Sequence, residues 1–232
     1  MAPPGADRPR AVVLVSGGMD SATTLARAVE AGFEAHALTV RYGQRHAVEV
    51  ERARELATGL GAISHKIVDI DLRTFGGSAL TDDRVPVPGA REPRARSGAP
   101  STYVPARNTL FLTLALAWAE TLGARDLFVG ANAVDYSGYP DCRPEFLEAF
   151  ERLANLGTRA GVEGRSFRVQ APLMRWTKGE IVREASRLGV DLARTVSCYA
   201  PSDAGSPCRA CEACALRATG FREAGLPDPA LD

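Results

Sequence analysis

Residues 11–21, AVVLVSGGMDS, decide the fold of this chain. The first five of them are apolar, and a helical spacing of apolar residues begins after the Gly-Gly turn. This order predicts a buried parallel strand, a tight turn, and a helix whose first amide groups find no partner inside the helix. Because those amides and the helix dipole both favour negative charge, the turn is expected to bind an anion.

The turn itself offers several groups to such an anion. Gly17 and Gly18 let the backbone approach a ligand without a Cβ in the way. Asp20 or Ser21 can cap the helix, and Ser16 places a hydroxyl at the entrance of the anion site. No GK[ST] sequence follows, so this is not a Walker A loop. The alternative is a strand–turn–helix corner with ordinary capping and no ligand.

The segment SGGMDS, placed after an apolar strand, resembles the pyrophosphatase loop of the N-type ATP pyrophosphatases. Enzymes of that family adenylate a carbonyl or carboxyl oxygen, and a nitrogen or sulfur nucleophile then displaces AMP. The resemblance implies that the β,γ-phosphates of ATP are held as a leaving group by Ser16, Gly17, Gly18, Met19, Asp20 and Ser21.

Composition limits the class of protein. The chain has 232 residues, 45% of them hydrophobic, which is enough for one well-formed core. Basic and acidic residues each number 28, so a broad electrostatic contact with tRNA is not supported. The start, MAPPGADRPR, and the short apolar run after it fit neither a signal peptide nor a membrane span, which predicts a cytoplasmic protein. There, the five cysteines are expected to bind metal or stay free thiols.

Strand and helix patterns alternate along the chain. The expected strands are residues 11–15, 35–42, 65–70, 126–131 and 167–171. Amphipathic helical patterns separate the first three strands. This alternation predicts an α/β fold with a doubly wound, mainly parallel five-stranded sheet flanked by helices, and a ligand crevice at the carboxyl ends of the strands. We expect a single domain over residues 1–232.

Residues 71–102 interrupt this order. They are rich in Gly, Pro, Arg and Ser and show no period, which is typical of a mobile lid or binding loop, or of disorder. The uncharged run 109–119 after them predicts a helix that is covered on most sides. Arg107 and Asn108 stand directly before that run. Either Asn108 caps the helix and Arg107 lies at the surface, or both side chains meet phosphate or substrate, which we favour.

The loop after the fourth strand, NAVDYSGYPDCRPEF, is dense in groups that recognise planar polar ligands. A carboxylate can accept hydrogen bonds from a guanine-like base while a tyrosine ring stacks on it. Cys142, inside this loop, is more typical of a packing residue than of a nucleophile. The candidate ligand-binding residues of this loop are Asn132, Asp135, Tyr136, Ser137, Tyr139, Asp141 and Arg143.

A further cation lies near the end of the chain. Thr177 and Glu180 form the pattern of a capping box at the start of a helix. Lys178 falls in the first turn of that helix, where a positive charge is unfavourable unless an anion is present. The position of Lys178 therefore predicts a contact with the phosphates of ATP.

The last segment carries four cysteines in the spacing C-x9-C-x2-C-x2-C. Four thiolates complete a tetrahedron around Zn²⁺, and the absence of an open ligand position in this pattern favours a structural site. An iron–sulfur cluster is the competing interpretation. The metal is expected to fold a small module, residues 195–220, onto the domain. Its predicted ligands are Cys198, Cys208, Cys211 and Cys214.

Taken in order, six motifs look like those of the 7-cyano-7-deazaguanine synthase family, over about residues 11–225. They are SGGMDS, RYGQRH, YVPARN, GANAVDYSGYPDCRPEF, APLMRWTKGEI and SCYAPSDAGSPCRACEACALRATGF. The resemblance implies conversion of 7-carboxy-7-deazaguanine, ammonia and two ATP to the 7-cyano base, a precursor of queuosine. It also implies an adenine nucleotide alpha hydrolase-like fold, a zinc requirement, Mg²⁺ with the ATP and, in many members, a homodimer.

The resemblance also implies roles for individual residues. Asp20, Lys178 and Arg107 are the catalytic candidates, and Asp20 is one possible ligand of Mg²⁺. The candidate substrate residues are Arg107, Asn108, Asp135, Tyr136, Tyr139, Asp141 and Arg143. Two alternatives stay open: a related ATP pyrophosphatase that thiolates or amidates tRNA, and a nucleotide-binding module without catalysis.

Overall fold

The structure, a computed structural model, describes residues 8–44, 48–90, 98–134 and 138–231. Within these residues the strands are β1 (Arg10–Leu14), β2 (Glu34–Arg41), β3 (Ser64–Asp69), β4 (Asp126–Phe128) and β5 (Arg168–Gln170). The α-helices of the same residues are α1 (Met19–Glu30), α2 (Val48–Gly59), α3 (Arg107–Leu122), α4 (Pro144–Gly157), α5 (Arg159–Val162), α6 (Lys178–Arg187) and α7 (Glu212–Ala224). No helix in this described part is long and apolar enough to cross a bilayer.

The strands form a parallel sheet in the order β3-β2-β1-β4-β5. The chain begins in the centre with β1, adds β2 and β3 on one side, and then returns to add β4 and β5 on the other. A reversal of this kind leaves a crevice at the carboxyl ends of the two central strands, here β1 and β4. The predicted doubly wound, five-stranded parallel sheet is confirmed.

Helices cover both faces of the sheet, which explains why β1 is apolar at every position after Arg10. Successive side chains of a strand point to opposite faces. Val12 packs with Leu112 of α3 in one core cluster, while Val13 packs with Leu25 of α1 in another. The two helix layers therefore fix β1, and the turn that follows it, from both sides.

One local prediction is wrong. The fourth strand ends at Phe128 rather than at residue 131, because the chain turns there to pass the start of α1. A Cβ on Gly130 would lie 3.1 Å from backbone atoms of Asp20 and Ser21. On α4, Leu153 is 55% exposed, whereas Phe150 is buried. Leu153 follows the buried Leu147 by six residues, about 120° around the helix.

The described parts of segment 71–102 contain buried residues and internal hydrogen bonds. Ala79 is fully buried, and its amide donates to the carbonyl of Ser101 at 2.8 Å. Gly89 forms a bridge with Cys211, so the loop reaches the cysteine-rich segment. Residues 91–97 lie outside the described part of the chain, and the mobility of the loop stays a prediction.

Candidate active site

A cavity of about 260 Å³ opens at the carboxyl ends of β1, β2 and β4, where the sheet topology predicts a ligand. It brings together the Gly-Gly turn, the start of α3, the start of α6 and the segment before the cysteine cluster. The polar or glycine residues that line it in the described chain are Ser16, Gly18, Asp20, Ser21, Thr39, Tyr42, Gln44, Glu49, Arg107, Asn108, Gly130, Asn132, Tyr139, Lys178, Ser197 and Tyr199.

The turn after β1 is held by its own serines. The Ser21 hydroxyl donates to the carbonyl of Gly18 at 2.9 Å and accepts from the Ser16 amide at 3.1 Å. The expected capping by Asp20 or Ser21 is wrong, because Gly18 is the N-cap residue and no side chain caps the helix. The first turn of α1 therefore faces the cavity without a capping side chain, as an anion site requires. Met19 is buried beneath it.

Gly17 holds this turn against its neighbours. Its φ of +83° lies in the left-handed region, and a Cβ would be only 2.4 Å from the carbonyl oxygen of Glu49 in α2. Its own carbonyl accepts from the Val196 amide at 3.0 Å. Gly17 is thus a packing position within the Gly-Gly turn, whereas Gly18 lines the cavity itself.

Asp20 and Lys178 form an ion pair inside the cavity. The Lys178 Nζ donates to both carboxylate oxygens of Asp20 at 2.9 Å, and the lysine side chain is 6% exposed. The predicted capping box of Thr177 and Glu180 is present and starts α6 at Lys178. The unfavourable position of this cation near a helix start is offset by Asp20, a partner that sequence reasoning missed.

Gly220 gives the Lys178 side chain its space. A Cβ on Gly220, inside α7, would lie 2.3 Å from Cγ of Lys178. Glycine inside a helix costs about 1 kcal/mol relative to alanine, so its presence there calls for a packing reason. The stem of Lys178 is that reason. Sequence reasoning missed Gly220, although a glycine within a helical pattern is a visible signal.

Arg107 and Asn108 open α3 at the rim of the cavity. The Arg107 guanidinium lies 5.9 Å from the ring centre of Tyr42. The alternative that Asn108 caps this helix is wrong, since Asn108 lies within α3. Its backbone amide donates to the Asp141 carboxylate at 3.1 Å. The Asn108 side chain donates to the Asp141 carbonyl at 2.9 Å and to the sulfur of Cys142 at 3.3 Å.

The predicted base-recognition residues are placed differently from one another. Tyr139 lines the cavity, and its hydroxyl is hydrogen-bonded to Thr102 and, at 3.5 Å, to Tyr199. Asp141 is 5% exposed and does not line the cavity, because its carboxylate is turned to the start of α3. Arg143 is exposed at the start of α4. Asp135, Tyr136 and Ser137 lie outside the described residues, as does His46.

Burial shifts the pKa values of Cys142 and Glu49, which both line the cavity. Burial raises the pKa of the Cys142 thiol to about 11, with Asp141 acting in the same direction, so it is a neutral thiol near pH 7. This agrees with the interpretation of Cys142 as a packing residue. Burial also raises the pKa of Glu49 to about 7, although the positive charge of Arg107 opposes the rise. Sequence reasoning missed Glu49, which follows the carboxyl end of β2 in the motif RYGQRHAVE.

The four predicted metal ligands come together beside this cavity. The sulfur atoms of Cys198, Cys208, Cys211 and Cys214 all lie within 4.8 Å of one another. Backbone amides of Ala200 and Cys208 donate to the Cys198 sulfur at 3.3 and 3.2 Å, an arrangement suited to a thiolate. Cys198 and Tyr199 also line the cavity, so the cysteine cluster forms part of its wall.

Comparison with known proteins gives one consistent result. The family model described as "Queuosine biosynthesis protein QueC" matches residues 10–225. A relative from Ralstonia pickettii (strain 12J), named 7-cyano-7-deazaguanine synthase, is 61% identical over 220 residues, which are 95% of this chain and 97% of the relative. A relative of the same name from Stenotrophomonas maltophilia (strain K279a) is 60% identical over 222 residues, 96% and 98% of the two chains.

Solved structures are more distant. A predicted subunit of tRNA methyltransferase from Methanocaldococcus jannaschii overlaps 77% of this chain and 74% of its own, with 19% identity and a TM-score of 0.49. Similarity at that level carries no argument about function. The family match and the two relatives, by contrast, extend over nearly the whole sequence. The chain therefore belongs to the QueC family of queuosine biosynthesis proteins.

Proposed function

We propose that this protein makes the nitrile 7-cyano-7-deazaguanine from 7-carboxy-7-deazaguanine and ammonia, with ATP as the activating substrate. The observation that carries the proposal is the 61% identity, over nearly the full length of both chains, to a relative named 7-cyano-7-deazaguanine synthase. The cavity supports it independently. An uncapped helix start, a lysine and an arginine face one space, as the polyphosphate of ATP requires.

The chemistry needs two activations. A carboxylate is a poor acyl acceptor until one of its oxygens becomes part of a leaving group. Attack of that oxygen on the α-phosphate of ATP gives an acyl adenylate and releases pyrophosphate. Ammonia then displaces AMP to give an amide. A second ATP adenylates the amide oxygen, and loss of AMP with a proton from nitrogen leaves the nitrile.

Different residues of the cavity serve different parts of this reaction. The amides at the start of α1 and the ammonium of Lys178 hold the departing pyrophosphate, while Asp20 orients Lys178. The Arg107 guanidinium, which also lines the cavity, neutralises charge there. Mg²⁺ bound with ATP would further neutralise the phosphates, and Asp20 is the carboxylate beside the turn that can approach it.

Recognition of the deazaguanine falls to the loop between β4 and α4. Tyr139 and Asn108 both line the cavity, and Asn108 is held in place by hydrogen bonds to Asp141. We therefore assign Asp141 a supporting role and retain Tyr139 and Asn108 as substrate contacts. Asp135 and Tyr136 remain candidates for the contacts to the base edge and face, and Arg143 remains one at the outer end of the loop.

We assign the cysteine cluster to Zn²⁺. A tetrahedral site with Zn–S bonds of about 2.3 Å has sulfur atoms about 3.8 Å apart. The measured separations of 3.9, 3.9 and 3.6 Å fit one such ion, whereas an iron–sulfur cluster would need the thiolates to stand farther apart. The ion would supply folding energy to the module. Metal analysis of the purified protein tests this, since iron with a visible absorption band would contradict it.

The exposed side of two helices supports a homodimer. Leu110, Thr113 and Ala117 are exposed on α3 without a charged residue among them, and Leu153 and Leu156 are exposed on α4. Exposed apolar surface of this kind often marks a protein interface.

The composition bears on substrates and location. Zero net charge supports small molecules rather than tRNA as substrates, and the composition supports a cytoplasmic location.

Incubation of the purified protein with 7-carboxy-7-deazaguanine, ammonium and MgATP tests the activity. We expect mass spectrometry to find the nitrile, and nucleotide analysis to find AMP with pyrophosphate. Production of ADP, or consumption of ATP without nitrile, would contradict the proposal. A salt-sensitive complex with tRNA would favour the tRNA-modifying alternative.

A further inference from the structure

Two carboxylates line the described part of the cavity, and they are in different states. Asp20 is engaged by Lys178 through both of its oxygens at 2.9 Å. Glu49, in the first turn of α2, lines the same cavity. Among the described residues, no hydrogen bond or ion pair engages its carboxylate. The backbone carbonyl oxygen of Glu49 lies close to Gly17, so α2 packs directly against the Gly-Gly turn.

Few other groups of the described cavity can exchange a proton near neutral pH. Arg107 and Lys178 are cations, and the Cys142 thiol holds its proton because burial raises its pKa to about 11. Burial also raises the pKa of the Tyr42 hydroxyl above its usual value. No histidine lines the described part of the cavity. Glu49 is thus the group suited to accept a proton there.

The proposed reaction needs such a group. In water near pH 7, ammonia is mostly ammonium, which has no lone pair with which to attack an acyl adenylate. A general base is most effective when its pKa lies near the working pH. Ammonium is also a cation, so a carboxylate without a partner both attracts it and can take its proton.

We propose that Glu49 binds ammonium and accepts its proton, which makes Glu49 a catalytic residue for the nitrogen substrate; this inference rests on the function proposed above. Ammonium and the Glu49 carboxylate give ammonia and the carboxylic acid. Ammonia then forms the C–N bond, the C–O bond to AMP breaks with its electron pair leaving on AMP, and a nitrogen proton is released to solvent. Proton loss from Glu49 to solvent restores the carboxylate.

The surroundings of Glu49 suit this cycle. Burial disfavours the charged carboxylate, and the Arg107 guanidinium on α3 favours it. The other charged groups of the described cavity are Asp20 and Lys178, which largely neutralise each other as a pair. The uncharged hydroxyl of Tyr42 lies at the end of β2. Glu49 can therefore be present in both protonation states near pH 7, as a proton acceptor must be.

Glu49→Gln keeps the size of the side chain and removes the acceptor. We expect the variant to retain substrate-dependent exchange of labelled pyrophosphate into ATP when ammonia is omitted, because that exchange reports adenylation alone. With ammonium present, we expect AMP and nitrile formation to fall by about 100-fold or more. The matched control is Glu51→Gln, an exposed carboxylate in the same turn of α2, which should leave both rates unchanged.

Hydroxylamine sharpens the test, because it is largely unprotonated near pH 7.5 and needs no base before it attacks. We expect Glu49→Gln to form the hydroxamate at a rate much closer to that of the wild type than its rate with ammonium. Equal loss with both nucleophiles, a normal rate with ammonium, or loss of pyrophosphate exchange in the variant would each overturn the inference. Absence of exchange in the wild type would instead overturn the proposed function itself.

Thermal unfolding checks the proton on Glu49 without any substrate. The pKa of Glu49 is about 7 in the folded protein and near 4.5 in the unfolded chain. The unfolded chain therefore loses this proton first, and the contribution of Glu49 to the stability of the wild type falls as pH rises from 4.5 to 7. We expect Glu49→Gln to raise the Tm at pH 8 but not at pH 4.5, whereas an equal effect at both pH values would contradict a raised pKa.

Discussion

Two buried ion pairs of this protein have nearly the same geometry and different surroundings. Asp20 and Lys178 meet at 2.9 Å with side chains 15% and 6% exposed, and Arg217 and Asp228 meet at 2.8 Å with side chains 6% and 5% exposed. The first pair lines the cavity. The second joins α7 to the chain end and does not line it.

The difference lies in what surrounds each cation. Arg217 donates to both oxygens of Asp228, to the Leu192 carbonyl at 2.8 Å and to the Thr195 hydroxyl at 2.7 Å. Its donors are taken up by the protein, which is typical of a structural pair. Lys178 is held at a surface that a phosphate can reach. A buried ion pair therefore indicates function only when it borders a space for a ligand.

Removal of the carboxylate from the cavity pair should have the largest effect. We expect Asp20→Ala to lower turnover by about 1,000-fold, because Lys178 is no longer held toward the departing pyrophosphate. Metal content and circular dichroism should match the wild type. Turnover within a few-fold of the wild type would show that the pair does not serve the reaction.

Removal of the cation from the structural pair should instead reduce stability. Arg217→Met leaves Asp228 buried without its partner, which typically costs about 3 kcal/mol or more. Denaturant unfolding measures this loss, while turnover per folded molecule should be unchanged. The control is Arg159→Met, whose ion pair with Glu163 is exposed and should change stability by no more than about 0.5 kcal/mol. Loss of turnover with normal stability in Arg217→Met would remove the distinction between the two pairs.

A smaller change can move the cavity pair without removing either charge. A Cβ at Gly220 would contact the Lys178 stem at 2.3 Å, so Gly220→Ala should displace the ammonium from Asp20. We expect kcat to fall by about 10- to 100-fold, since displacements near 1 Å can cost this much. Metal content should be retained.

The matched control is Gly157→Ala at the end of α4, where an added Cβ meets no atom within 4 Å. It should leave kcat unchanged. If Gly220→Ala lowered the Tm but not kcat, Gly220 would have a packing role alone, and the orientation of Lys178 would not limit the reaction.

The sequence predicts the strands and the first turn of this protein better than it predicts which side chains contact each other. The five strands follow from apolar runs, and the tight turn after β1 follows from two glycines between a strand and a helix. The Asp20–Lys178 pair joins residues 158 positions apart, which only the completed fold brings together. The contact of Asp141 is likewise long-range. The sequence predicts that Asp141 meets the ligand, but its carboxylate accepts a hydrogen bond from the backbone amide of Asn108, 33 positions earlier.

The exposure of a single side chain depends on packing that a local sequence pattern does not contain. Leu153 fits an apolar helical spacing, yet the core side of α4 is centred on Leu147 and Phe150. Glu49 gives no signal in the sequence beyond its position after a strand. Its importance depends on burial and on the cavity around it, neither of which a local pattern contains.

We propose that this cavity activates oxygen atoms of the substrate as adenylates. Incubation with 7-carboxy-7-deazaguanine that carries ¹⁸O in its carboxylate tests this directly. We expect each AMP released to carry one ¹⁸O, because one substrate oxygen leaves with AMP at the amide step and the other at the nitrile step. Appearance of the label in inorganic phosphate, in pyrophosphate or in water, with unlabelled AMP, would contradict it.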